Sequence, residues 1–250
     1  MSLSSLPLVL ILTSFLFTSG LAAQNLSVAA AADLAPLEPA LVRLYRQSTG
    51  ASLAITLGSS GMLAAQIRQG APYDVYLSAN EDLVMDLARG GFVSSTSVRT
   101  YATGRLGLWS ADGSIPGITE LAGAKVRFLT LPNPKHAPYG IAAVEALRSQ
   151  GLWNRLEAKV VYGENVRQAF EFASTGNADA VITSWTLVFD KGGILLPETW
   201  HRPIRQAAGV VAASPRQQAA QRFLDLLLSA EGQALLQRYG LFPPGSALRQ

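Results

Sequence analysis

Short β-rich runs alternate with helical patterns along nearly the whole chain, and this alternation restricts the fold more than any other feature. The runs are Leu26–Ala30, Ser52–Leu57, Val75–Ser78, Leu106–Ser110, Lys125–Leu131, Lys159–Tyr162, Ala180–Ile182 and Gly209–Ala213. Helical periodicity between most of them argues for right-handed βαβ units and parallel sheets. Asn80 precedes Glu81 and Asp82, an N-cap with acidic residues in the first turn, and Gly90-Gly91 ends that helix. Near the C-terminus "RQQAAQRFLDLLLSAEGQALLQRYG" has helical spacing with a break around Ser229. Two α/β lobes suit the pattern better than one continuous sheet. "TYATGRLGLWSADGS" moves from a basic and aromatic stretch into a fresh strand, and "RPIRQAAGVVAAS" supplies another before the final helices. The expected division is 24–103 with 206–250 in one lobe and 104–205 in the other.

A chain of 250 residues, 49 % hydrophobic and 15 % charged, can bury one large core or two smaller ones and is not disordered. Twenty basic against seventeen acidic residues leave +3, with no basic run, so there is no nucleic-acid footprint. Met1–Ala23 reads as a secretory signal. Its apolar run Leu8–Phe17 has the length of a signal core and is short for a membrane span, and Ala22 and Ala23 stand at the cleavage point. Its first residues carry no Lys or Arg, and an uncleaved anchor is the alternative. With no cysteine, neither lipid attachment at cysteine nor a disulfide framework is available. The mature chain is expected to begin near Gln24 and to work in the periplasm.

Chemistry concentrates where strands hand over to helices. In "SVAAAADLAPLEPAL" a row of alanines, poor strand formers, leads into Asp33, which suggests close approach to the backbone. Asp33 alone reads equally as a helix cap. "LGSSGMLAAQI" places Gly58, Ser59, Ser60 and Gly61 before a helix; "LPNPKHAPYGIAAVEAL" opens one with Pro138, Tyr139 and Gly140; "VYGENVRQAFEF" opens another at Glu164, Asn165 and Val166. Each has a local reading: Ser60 as a cap, Tyr139 as a surface aromatic, Val166 as core. Their recurrence favours a shared site. Ligands of open α/β sheets bind beyond the carboxyl ends of strands, and helix N-termini there present free N–H groups suited to an anion.

"AAAADL", "GSSGMLAAQIRQGAPYDVYLSAN", "NPKHAPYGIAAVEAL" and "GENVRQAFEFASTGNADAV" resemble, in order and spacing, the molybdate-binding proteins of ABC importers, over about Gln24 to Phe242. The resemblance implies a two-lobed type II periplasmic-binding-protein fold, each lobe a mostly parallel sheet flanked by helices, joined by hinge strands. It implies a tetrahedral oxyanion, molybdate or tungstate, in the cleft, and delivery to a membrane permease driven by an ATPase. It implies no cofactor and no bare metal cation, molybdenum entering only as the oxyanion, and a monomer. Carried over residue by residue, the ligand positions fall on Asp33 with Ala32 beside it, Ser60 with Ser59 adjacent, the Tyr139 hydroxyl, and the Val166 amide with Asn165. Thr183 stands where some relatives have a tyrosine.

Asp33 departs from the common family pattern of serine or asparagine there. An ionised carboxylate only accepts hydrogen bonds and repels a dianion. The favoured resolution turns the side chain onto helix N–H groups, leaving the amides of Asp33 and Ala32 to the ligand. The alternative is an oxyanion that carries a proton, such as phosphate or arsenate, with Asp33 accepting it. Pro39 is expected to leave one early helical carbonyl unpaired.

Two rival functions come from other classes, and a third is the same binding role with another solute. Asp33, Ser60 and His136 are a conceivable acid–base set, but only His136 and His201 are present, with no "GxSxG" and no cysteine. A regulator's sensing domain conflicts with the secretory start. An amino-acid receptor needs an arginine for the carboxylate, and Arg167 lies just beyond the fourth junction. The expectation is stoichiometric binding without chemical conversion.

Overall fold

The β-rich runs pair into two five-stranded sheets of the same topology. The computed structural model describes residues 25–245; the expected leader and the start at Gln24 lie outside them. The strands are β1 (Leu26–Ala31), β2 (Leu53–Gly58), β3 (Val75–Ser78), β4 (Arg99–Gly104), β5 (Leu106–Trp109), β6 (Leu129–Pro132), β7 (Val160–Gly163), β8 (Ala180–Ser184), β9 (Ile194–Leu195) and β10 (Ile204–Val210). One sheet has the order β2-β1-β3-β10-β4, the other β7-β6-β8-β5-β9. In each, the first three strands are parallel and the last two antiparallel to their neighbours. Each sheet thus has the expected parallel βαβ half, with two antiparallel pairings added at the hinge side.

The antiparallel strands are the ones that carry the chain between lobes. β4 passes through Arg105 into β5, and β10 returns the chain beside it, with Ile204 opposite Gly104. Neither hinge strand is evident from hydropathy. β4 carries exposed Arg99, and β10 begins at Ile204, so the run expected from Gly209 covers only its end. A buried glutamine, Gln206, interrupts β10 at a register shift.

The helices are α1 (Glu38–Thr49), α2 (Ser60–Arg68), α3 (Glu81–Arg89), α4 (Pro138–Ser149), α5 (Trp153–Leu156), α6 (Val166–Ser174), α7 (Gln217–Leu228) and α8 (Ala230–Arg238). Their apolar faces cover the sheets. On the first sheet, α1, α7 and α8 bury Leu41, Tyr45, Phe223 and Leu236 on one side, while α2 and α3 bury Leu63, Ile67, Val84 and Leu87 on the other. On the second, α4 and α5 bury Leu147 and Leu156, and α6 packs Ala169 and Ala173 against Val181. Local signals behave as their chemistry requires: Asn80 accepts from the Asp82 N–H, and Ser229 separates α7 from α8 and caps the second. A 3-10 turn, Ala32–Leu37, precedes α1. It absorbs Pro36, and the Ala35 carbonyl accepts from the Glu38 N–H, so the carbonyl expected to be orphaned by Pro39 is paired.

Candidate functional site: an interlobe cavity at four strand ends

The carboxyl ends of β1, β2, β6 and β7 face one another across the two lobes. Ala32, Asp33, Ser59 and Ser60 from the first lobe and Tyr139, Asn165 and Val166 from the second line one small cavity. Its free space is about that of one water molecule. A four-oxygen anion therefore enters only as the lobes part or as the lining gives way. No Lys, Arg or His lines it. A larger groove nearby, bounded by Glu81, Glu145, Arg202 and Arg205, has its charges paired internally: Arg202 with Glu145 at 2.6 Å and Arg205 with Glu81 at 3.6 Å.

Each donor is oriented by a neighbour. The Ser60 hydroxyl oxygen accepts from the Ala79 N–H at 3.0 Å, which leaves its own proton to point elsewhere. The buried Tyr76 hydroxyl donates to the Ser60 carbonyl at 2.7 Å and fixes the start of α2. At α6 the Asn165 side-chain oxygen takes the N–H groups of Arg167 and Gln168 at 3.0 and 3.1 Å, leaving the Val166 amide as the first-turn donor without such a partner. Thr183 does not line the cavity. Its hydroxyl donates to the Val166 carbonyl at 2.9 Å and so braces the first residue of α6.

Asp33, the second residue of the 3-10 turn, does not cap it. The N-cap residue is Ala31, without a side-chain bond, and the Asp33 carboxylate reaches across to the hinge and the second lobe instead. Its Oδ2 accepts from the Tyr139 hydroxyl at 3.0 Å and from Gln206 Nε2. Gln206 Nε2 also donates to the Tyr139 oxygen at 3.0 Å, and its own oxygen accepts from Tyr101 at 2.6 Å. The Tyr139 hydroxyl, expected to face the anion, is thus spent on Asp33. Thr186 donates to the Asp33 carbonyl at 2.7 Å. The network needs a glycine at 104, where a Cβ would stand 2.2 Å from the Tyr139 oxygen. Asp33 is fully buried, and its Oδ1 has no partner in the protein. Burial lifts its pKa to about 6, against the lowering effect of the Gln206 and Tyr139 bonds and of its own backbone N–H.

A second interlobe contact involves His136, in the loop before α4. Its Nδ1 lies 2.9 Å from the Ser59 hydroxyl, and its carbonyl accepts from the Gly61 N–H at 2.9 Å. His136 therefore ties the lobes together and is not arranged beside Ser60 as a general base. Gln206, Tyr101 and Thr186 are the residues of this site that the sequence does not single out, and His136 enters there only as part of the rival acid–base set. Only Gln206 carries a signal, as a buried polar residue in a strand whose other polar residue, Arg205, is exposed.

Two α/β lobes crossed by paired hinge strands, with helix N-termini meeting between them, define a solute-binding protein. The chain belongs to the bacterial extracellular solute-binding protein family, whose model matches residues 26–242. It is similar to the molybdate-binding protein ModA of Rhodobacter capsulatus, with 34 % identity covering 88 % of both chains. It is also similar to ModA of Azotobacter vinelandii, with 32 % identity covering 96 % of this chain and 98 % of that one. The structure of the Azotobacter vinelandii periplasmic molybdate-binding protein superposes with a TM-score of 0.84 at 30 % identity, over 88 % of this chain and 99 % of the other.

Proposed function

We propose that this protein is the periplasmic receptor of an ABC importer, that it captures molybdate, and tungstate with it, between its lobes, and that it hands the anion to a membrane permease and its ATPase without chemical change. The observation that carries the reading is a cavity lined from both lobes by the starts of α2, α4 and α6 and the Ala32–Asp33 turn, with no cationic side chain among its lining residues. Neutral donors replace the water shell of a dianion, and each bond to the charged ligand contributes about 1.5–3 kcal/mol. The named relatives support the choice of anion. Ligand contacts from both lobes favour the closed arrangement through differential affinity.

The test is calorimetry of the mature protein with molybdate, tungstate, sulfate and phosphate. Stoichiometric binding of the first two is expected. One observation favours a second reading. The unpartnered Asp33 Oδ1 is an acceptor for a hydrogen phosphate or hydrogen arsenate O–H. Tight phosphate binding with indifference to molybdate establishes that reading and rejects the first.

Tyr139→Phe is expected to weaken anion binding roughly ten- to a hundredfold, the equivalent of one bond to a charged group. The hydroxyl joins α4 to Asp33 across the lobes, and its loss leaves the carboxylate with one donor fewer. Unchanged affinity in the calorimeter counts against any part for this hydroxyl.

A further inference from the structure

We infer that anion binding is coupled to uptake of one proton by Asp33, whose protonated Oδ1 then serves as a hydrogen-bond donor to the bound dianion. The inference rests on the molybdate reading above. It begins with the asymmetry of the carboxyl group. Oδ2 already accepts from Tyr139 and Gln206, so a proton is unfavourable there. Oδ1 is buried, unpartnered and belongs to a residue that lines the cavity. It is the one free position on the group.

Among the described residues, no cationic side chain forms an ion pair with the Asp33 carboxylate. Tyr139 on α4 faces it directly, and Tyr101 on β4 faces it through Gln206 on β10. Burial pushes both phenols well above their ordinary range, so neither supplies a charge. The 3-10 turn Trp185–Leu187, β1 and β2 bring no titratable side chain against the Asp33 turn. Glu38 opens α1, and Arg167, in the first turn of α6, is exposed; neither forms an ion pair with Asp33. A dianion brought beside an ionised, desolvated Asp33 meets repulsion that no cation offsets. Taking a proton from solvent onto Oδ1 converts that repulsion into a donated bond. The balance is protein plus dianion plus one proton giving the complex, with no other group changing state. Asp33 without ligand ionises at about 6, so in neutral solution the proton must be acquired on binding.

The measurement is titration calorimetry of the wild-type protein with micromolar sodium molybdate in two buffers of different ionisation heat. Near pH 8 the buffer dependence should report about one proton taken up per anion, and the Kd should weaken about tenfold from pH 7 to pH 8. Asp33→Asn places an amide N–H where the Oδ1 proton would sit and leaves its oxygen to Tyr139 and Gln206. Its affinity should be independent of pH, with no proton uptake, and higher than that of the wild type near pH 8. Molybdate binding by the wild type with no proton exchange and a flat pH profile overturns the inference while leaving the receptor function intact. No molybdate binding at any pH, with phosphate binding in its place, overturns the function and the inference together.

Discussion

Asp33→Asn is expected to raise the unfolding free energy of the anion-free protein near pH 8 by on the order of 3 kcal/mol, and by almost nothing near pH 4. The cause is burial without a cation. Desolvation raises the Asp33 pKa from 3.8 to about 6 in the folded chain. Between those values the native state binds the proton more tightly than the unfolded chain does. The stabilisation from that proton is complete below the unfolded value and is lost as pH rises through about 6. Above that point the native state holds an ionised carboxylate in a dry site. Asparagine keeps an acceptor for Tyr139 and Gln206 and removes the charge. For a chain of this size the gain corresponds to roughly 6–12 °C in Tm. Denaturant melts of both proteins at several pH values check it. A difference between them that stays constant from pH 4 to pH 8 would show that Asp33 carries no such penalty.

The same residue marks the limit of what the sequence discloses. The alternation of runs reveals two α/β units, and the junction motifs lead to seven residues that share a cavity: Ala32, Asp33, Ser59, Ser60, Tyr139, Asn165 and Val166. These are legible because a helix start has local chemistry of its own: a cap, a glycine turn, a proline at the first position. The direction of a side chain has no such local signature. Asp33 reads as a cap because capping is the common use of aspartate there, yet its carboxylate is bonded to Tyr139, 106 positions away, and to Gln206, 173 positions away. Those partners come from α4 and the hinge strand β10, whose meeting depends on the whole crossover. β4 and the first half of β10 are hard to read for the same reason. Two of their residues with polar groups, Tyr101 and Gln206, are buried against each other, so hydropathy alternation fails where tertiary hydrogen bonds take over. Family resemblance points Thr183 toward the ligand, but the direction of its side chain is set by the strand, and here its hydroxyl meets the carbonyl of Val166.

Gly61→Ala is expected to weaken anion binding by roughly ten- to a hundredfold without lowering the Tm. The two effects separate because Gly61 belongs to two structures at once. Within α2 it occupies the second position, its φ is not in the left-handed region, and alanine there favours the helix by up to about 1 kcal/mol. Across the lobe boundary the same Cβ would stand 2.8 Å from the His136 carbonyl oxygen and 3.0 Å from its Cα. Both are backbone atoms of the opposite lobe, so no rotamer change relieves the contact. The lobes must move apart by several tenths of an ångström or more, and the Gly61 N–H bond to His136, 2.9 Å here, lengthens with them. Overpacking of this kind costs about 1–3 kcal/mol, and it falls on the closed arrangement alone. An anion that draws its donors from both lobes is bound through that arrangement, so the cost appears in its affinity. The folded core of each lobe, which sets the Tm, is untouched. Calorimetry gives the affinity, and X-ray scattering with saturating molybdate should show a larger radius of gyration for the variant than for the wild type. Wild-type affinity together with an unchanged radius would mean that the Gly61–His136 contact is no part of the anion-bound state.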